Sequence, residues 1–163
     1  MPDSSKTIDV SVSEQTLRLL DGDIVLATYP VSTAKNGVGQ KNGSECTPLG
    51  WHIVRAKIGN NTPVNSVFVG RRTTSEIFNE TLRNTYPGRD WILTRILWLS
   101  GLERGKNRGG DVDTMRRYIY IHGSPDGDSF AVPSSHGCVK MRNKDIINLY
   151  DNIDAGTRVL IHE

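Results

Sequence analysis

Two short apolar runs, Thr16-Leu-Arg-Leu-Leu and Ile24-Val-Leu-Ala-Thr-Tyr, stand on either side of Asp21-Gly22. Asp-Gly between such runs is a strong hairpin signal, because the tight turn that matches strand twist needs positive φ. Just upstream, Thr7-Ile-Asp-Val-Ser-Val-Ser alternates apolar and polar residues, the two-residue period of a half-buried strand. A chain opening this way is committed to a sheet, and later segments extend it. Thr47-Pro48-Leu49-Gly50 is a turn that launches a strand from Trp51 to Ile58, and a short strand follows at Val67-Phe-Val-Gly. Trp91 to Leu99 is apolar enough to be a buried strand, and Arg117-Tyr-Ile-Tyr-Ile-His122 alternates again. Thr157 to His162 closes the set.

Two segments read as helix: Glu76 to Arg83, and a stretch through Asn152 that Asn143 caps, with Asp145 in its first turn and Gly156 beyond its end. Residues 36–47 and 100–114 are glycine-rich and polar, and read as loops. No repeat or linker divides the sequence. The expectation is one mainly β domain over residues 1–163 with one or two helices, a length that buries a real core.

Charge and composition remove several function classes. A net charge of +2 with scattered basic residues argues against nucleic acid, leaving only the stretch around Arg104-Gly-Lys-Asn-Arg-Gly-Gly as locally basic. No run approaches the roughly 20 apolar residues of a membrane span. The first residues, MPDSSKTIDVSVSEQ, lack the basic start and apolar block of a secretory leader. A cytoplasmic protein is expected, or a periplasmic one if a natural leader has been trimmed away. Cys46 and Cys138 are too few and too far apart for a disulfide framework.

Cys138 lies in an unusual setting, Ser134-Ser-His-Gly-Cys-Val-Lys-Met-Arg-Asn143. A thiol at neutral pH is mostly protonated, and nucleophilic work requires a nearby imidazole or a positive field. His122, at a predicted strand end, and His136, two residues before the cysteine, are the candidate bases. Gly123, Pro125, Gly127 and Pro133 let the intervening chain loop back, and Gly137 frees the backbone so that amides converge as an oxyanion site. The competing readings are a small buried cysteine and a zinc site of His122, His136 and Cys138, which lacks a fourth ligand. Cys46 has no neighbouring histidine in sequence and reads as a bystander, while His52 and His162 sit in predicted strands as structural residues.

His122-Gly-Ser followed by Ser135-His-Gly-Cys-Val resembles the motif of the YkuD family of L,D-transpeptidases. Thr47-Pro48-Leu49-Gly50 is similar to that family's Thr-Pro-x-Gly turn. The hairpin from Ile8 through Thr28-Tyr-Pro-Val-Ser-Thr is similar to its opening strands, so the likeness covers nearly the whole chain. Two departures stand out: Lys140 where the family often has arginine or asparagine, and a slightly short spacing of twelve residues between His122 and Ser135.

The resemblance implies a β-sandwich-like domain with Cys138 as nucleophile, His122 as base and the Gly123 carbonyl orienting the imidazole. Backbone amides of His136, Gly137 and Cys138 would hold the oxyanion, with no metal or other cofactor. The implied substrate is a peptidoglycan stem tetrapeptide or muropeptide, attacked between a diamino acid and D-alanine, with a carbapenem as inhibitor. Ser135, Arg142, Trp98 and Tyr120 are expected to meet substrate, and Lys140, Arg95 and Arg117 are further candidates for its carboxylates. Cytosolic residence favours water as acceptor, an L,D-carboxypeptidase of recycled fragments. The alternatives are transpeptidation in the wall, or a non-catalytic muropeptide sensor, which would be expected to have lost Cys138 or His122.

Overall fold

The computed structural model describes residues 5–163. The alternation at the N-terminus becomes β1 (Lys6–Ser11), with Ile8 and Val10 fully buried. It stops at Ser11, short of Ser13, because Gln15 at φ +52° turns the chain and its side-chain amide donates to Val12 O and Thr33 Oγ1. β2 (Thr16–Asp21) and β3 (Ile24–Ser32) form the expected hairpin. Asp21 pairs with Ile24, so the two-residue loop is Gly22-Asp23, one position later than the dipeptide suggested, and Gly22 supplies the positive φ at +58°.

The chain continues through β4 (Gly50–Ile58), β5 (Ser66–Val69), β6 (Arg72–Ile77), α1 (Glu80–Thr85), β7 (Ile92–Gly101), β8 (Tyr120–Ser124), β9 (Val139–Arg142), α2 (Asn143–Asp151) and β10 (Arg158–His162). Strand order is β4-β10-β1-β2-β3-β9-β8-β7-β5-β6, and β4 also pairs with β7. Eight strands therefore close on themselves as a β-sandwich-like shell, and β5–β6 project from β7 as a ribbon. The principal core draws on every strand of the closed set, among them Val10, Leu17, Val31, Leu97, Ile121, Val139 and Ile161. α2 lies on β7, β8 and β9 and adds Ile146, Leu149 and Tyr150 to this core. Each fully buried aliphatic side chain there stabilises the fold by about 2 kcal/mol.

Several expectations need correction. β6 was not foreseen, since an edge strand with mostly exposed residues carries no alternation to read. The first helix begins at Glu80, where the Asn79 side chain accepts the Leu82 N–H at 2.8 Å; Glu76 and Ile77 finish β6 instead. Asn143 does not cap α2. It is the first helical residue, its amide buried and bonded to Asn65 Oδ1, Ser124 O and Asp126 Oδ1, and Arg142 takes the capping position without a side-chain bond. The strand expected from Arg117 starts only at Tyr120, because Tyr118 at φ +56° breaks the extended run. Segment 100–114 is packed rather than loose: Asn107 is fully buried and donates to the carbonyls of Leu49 and Trp51.

Candidate active site

β8 and β9 run parallel as neighbours, with Ile121 opposite Val139 and His122 opposite Lys140. Side chains alternate across a sheet, so Ile121 and Val139 fill the core while Tyr120, His122 and Lys140 share the other face. Cys138, immediately before Val139, falls on that same face. Register alone thus sets the thiol and the imidazole beside one cavity of about 480 Å³, whose walls include Arg71, Asp90, Tyr118, Ser135 and Lys140.

His122 Nδ1 lies 2.7 Å from the carbonyl oxygen of its neighbour Gly123. A carbonyl only accepts, so Nδ1 carries the proton and Nε2 keeps a lone pair free to take one. Burial holds the His122 pKa below the ordinary imidazole range, against the opposing pull of Asp90 and of the Gly123 bond. Burial likewise pushes the Cys138 thiol up to about 12, although the Tyr120 N–H, 3.3 Å from Sγ, works against it. Sγ in turn reaches the Tyr118 carbonyl at 3.5 Å, a weak S–H donation. The pair therefore rests as neutral thiol and neutral imidazole, an arrangement in which any attack by Sγ would require the proton to move with it.

Gly123 has no room for a side chain: a Cβ there would stand 2.5 Å from Leu93 O and 2.6 Å from Asn143 Oδ1. Asn143 also donates to Ser124 O, so the backbone that follows the Gly123 carbonyl is held by the start of α2.

The cysteine turn is pinned from two sides. The N–H groups of Ser134 and Ser135 both donate to Thr33 O at 2.9 Å. Ser135 Oγ accepts the Gly137 N–H at 3.1 Å and donates to Cys138 O. Gly137 sits at φ +130°, and a Cβ there would come 3.0 Å from Ile119 Cδ1 and 3.2 Å from Cys46 O. Thr47 Oγ1 donates to Gly137 O at 2.9 Å while accepting the Ala34 N–H. Because a trans peptide is planar, fixing that carbonyl fixes the Cys138 N–H in the opposite direction, away from Thr47.

The structure separates the residues expected to meet substrate. Ser135, Tyr120, Lys140 and Arg117 line the cavity with Cys138 and His122; Arg142, Arg95 and Trp98 do not. Arg142 lies over Phe130, and Arg95 is buried, donating to Thr62 and Thr94 oxygens. Trp98 stands behind the wall, packed in a small cluster with Phe68, Ile96, Tyr120 and Cys138, its indole N–H on Met115 O. Ser135 uses its hydroxyl within the turn. Arg117 is committed to the loop carbonyls of Gly39, Gln40 and Cys46, so it clamps segment 36–47 beside the cysteine turn. Of the three amides expected to face an oxyanion, that of Gly137 is engaged by Ser135, which leaves those of His136 and Cys138.

Cys46 is not on the cavity wall; its sulfur faces Asn36 O and Ser44 O. His52 is fully buried between Gly50 O and Thr114 Oγ1, and His162 pairs with Asp9. Among the described residues no group of three or more His, Cys, Asp and Glu stands where it would hold a metal ion, and no helix is long and apolar enough to cross a membrane. Sequence reasoning missed Arg71, Asp90 and Tyr118 on the wall and the bracing role of Thr47. Only Thr47, in its Thr-Pro turn, carried any signal.

A second cleft of about 290 Å³ adjoins the cavity across Asp90, His136 and Lys140, and is walled further on by Arg83, Arg89 and Asp128. Residues 5–161 match the YkuD family, L,D-transpeptidase catalytic domain. The YkuD protein of Bacillus subtilis (strain 168) is 30% identical over 105 residues, 60% of this chain and 64% of that one. L,D-transpeptidase 3 from Mycobacterium tuberculosis, solved with a faropenem-derived adduct, superposes with a TM-score of 0.61 at 15% identity, covering 98% of this chain and 60% of the other. An L,D-transpeptidase from Xylanimonas cellulosilytica gives 0.56 at 20% identity, covering 98% and 61%. The chain thus spans a little under two thirds of the length of these relatives.

Proposed function

The chain belongs to the YkuD family of L,D-transpeptidase catalytic domains, and on that premise we propose that it is a cysteine acyl-transfer enzyme of peptidoglycan stem peptides. The observation that carries the reading is the arrangement at β8–β9: a cavity-facing thiol, an imidazole on the same face with its Nε2 lone pair free, and a carbonyl fixing that tautomer. In the proposed reaction Cys138 Sγ attacks the carbonyl carbon of the diamino acid–D-alanine bond as its proton passes to His122 Nε2. The amides of His136 and Cys138 receive the oxyanion. Collapse breaks the C–N bond, the leaving amine takes the proton from His122, and a thioester remains on Cys138.

Water or an amine then resolves the thioester, with His122 again accepting the proton. Hydrolysis, an L,D-carboxypeptidase outcome on soluble muropeptides, is the reading we put first. It needs no further site, since Cys138 is partly exposed. Transpeptidation is the second reading, favoured by the adjoining cleft. Asp90 on the shared wall offers a carboxylate to an incoming ammonium. Incubation with a disaccharide tetrapeptide, with and without acceptor stems, decides by product mass. Tripeptide plus D-alanine is expected from the wild type and nothing from Cys138→Ala, folded by circular dichroism. Cross-linked dimer as the main product would establish the second reading. Binding without turnover by the wild type would make the protein a sensor and refute both.

A further inference from the structure

β5 and β6 are joined by two residues, Gly70 and Arg71, because Val69 pairs directly with Arg72. Both loop residues have positive φ, +57° and +66°, the geometry that suits Gly or Asn at either place. An arginine occupies the second, and both residues line the wall of the Cys138 cavity.

The guanidinium is held in a defined orientation. Its carbon lies 4.5 Å from the Trp98 ring centroid and 5.0 Å from that of Tyr118, and Nη1 donates to Tyr120 Oη at 3.2 Å. That bond uses one of five N–H donors. Arg83 and Arg89 are paired with Asp128 and Glu76, whereas no carboxylate among the described residues pairs with Arg71. Arg117, the other guanidinium on the wall, is already committed to three loop carbonyls. Among the described residues Asp90 is the one acidic side chain lining the cavity, and it stands 3.9 Å from His136.

Tyr120 links this arginine to the chemistry, since its hydroxyl accepts from Arg71 while its backbone N–H donates to Cys138 Sγ. Stacking on two aromatic rings fixes the plane of a guanidinium and leaves its N–H edge available, so little freedom is lost when a carboxylate docks bidentately. We propose that Arg71 binds a carboxylate of the acyl donor, with Trp98 and Tyr118 holding the guanidinium in place and Tyr120 setting its distance from the thiol. This rests on the reading of Cys138 as an acyl-transfer nucleophile. It moves the carboxylate-binding role from Arg142 and Arg95, which lie off the cavity, to the tip of the β5–β6 ribbon.

The test compares acylation of Cys138 by a carbapenem with acylation by its carboxylate methyl ester, followed by intact mass, using iodoacetamide at Cys138 as a neutral reference. The wild type should react faster with the free acid by about 10- to 100-fold, the range of a charge-assisted bond. Arg71→Met, which retains an apolar stem for the stack, should lose that preference and leave the ester and iodoacetamide rates within about three-fold. Arg71→Lys should regain part of it. An acid-to-ester ratio near one in the wild type overturns the proposal whether or not the variants fold. Equal slowing of acid and ester in Arg71→Met overturns it too, by making the arginine a structural clip. A wild type that alkylates at Cys138 yet accepts neither β-lactam nor tetrapeptide refutes the acyl-transfer reading itself.

Discussion

Cys138 and His122 sit in an environment that disfavours charge on either, and this has a measurable consequence. Burial takes the thiol from 9.0 to about 12 and lowers the imidazole. At neutral pH the thiolate fraction is therefore about a thousand-fold below that of an ordinary thiol. Each thiolate is more basic and so more nucleophilic; a Brønsted coefficient of about 0.4–0.5 returns roughly 15- to 30-fold. Iodoacetamide should then modify Cys138 about 30- to 60-fold more slowly than a small-molecule thiol at pH 7. The assay follows the mass of the Cys138 peptide with time from pH 6 to 10. Limited access also slows alkylation, but access does not change with proton concentration, so the slope carries the argument. The logarithm of the rate should climb by about one per pH unit through pH 10 without a plateau. Acylation by a carbapenem should instead be flat above neutrality, because a neutral His122 removes the proton during attack. It should fall only where His122 protonates, below the ordinary histidine range. Fast alkylation with a plateau below pH 8 would mean a thiolate–imidazolium pair at rest and would refute this reasoning.

Two further outcomes concern the buried side chains of His52 and Thr47. His52 is pushed from 6.5 to about 4 by burial, so between those values the unfolded chain holds a proton that the folded protein does not. Stability contributed by the neutral imidazole is complete above pH 6.5 and falls as pH drops toward 4, by about 3 kcal/mol; denaturant unfolding of His52→Gln should show a shallower loss over that window than the wild type. Thr47→Val removes the donor to Gly137 O and the acceptor for the Ala34 N–H in a fully buried position. It should cost about 1–3 kcal/mol of stability and lower kcat more than it alters KM, since the Cys138 amide loses its fixed direction; an unchanged kcat in folded Thr47→Val would remove Thr47 from the site.

The strand-rich reading of the sequence held where one face of a strand is buried and the other wet, as in β1 and β2, or where both are buried, as in β7. It missed β9, four residues too short to show the alternation of buried Val139 and Met141 with Lys140 and Arg142. It failed where tertiary contacts override local pattern. β6 is polar and exposed along most of its length, and exists because β5 and the Gly70-Arg71 turn offer it a partner. Asn143 has the composition of a cap, yet its amide is drawn inward by Asn65, Ser124 and Asp126, three partners that no helix-start rule contains. The cations show the same limit. Arg95, Arg117, Lys140 and Arg142 differ little as letters, and only the folded chain shows that Arg95 is buried, Arg142 lies over Phe130, and Arg117 and Lys140 both line the cavity, the first tied to loop carbonyls. Arg71 went unnoticed because a turn arginine on an edge ribbon gives no sign of the rings beneath it.

The meeting of Cys138 with His122 has a cause that sequence spacing does not display. Parallel strands require a crossover, and here residues 125–138 supply it without a helix. An irregular crossover has to find partners for its backbone, and the end of β3 with the residues just after it, Val31 to Lys35, provides them. Ala131 N–H donates to Val31 O, Ser32 Oγ to Ser129 O, and the amides of Ser134 and Ser135 to Thr33 O. The Lys35 N–H then donates to Ser135 O. The same strand pairs with β9, Val31 against Met141 and Ser32 against Lys140. β3 therefore guides the crossover and registers the strand that follows the cysteine. Because the side-chain period of a strand is two, a one-residue slip in that register would turn Lys140 and Cys138 toward the core and Val139 toward the cavity. The apolar demand of Val139 and Met141, both fully buried, opposes such a slip. The core of the domain is thus what keeps the thiol on the face of the imidazole.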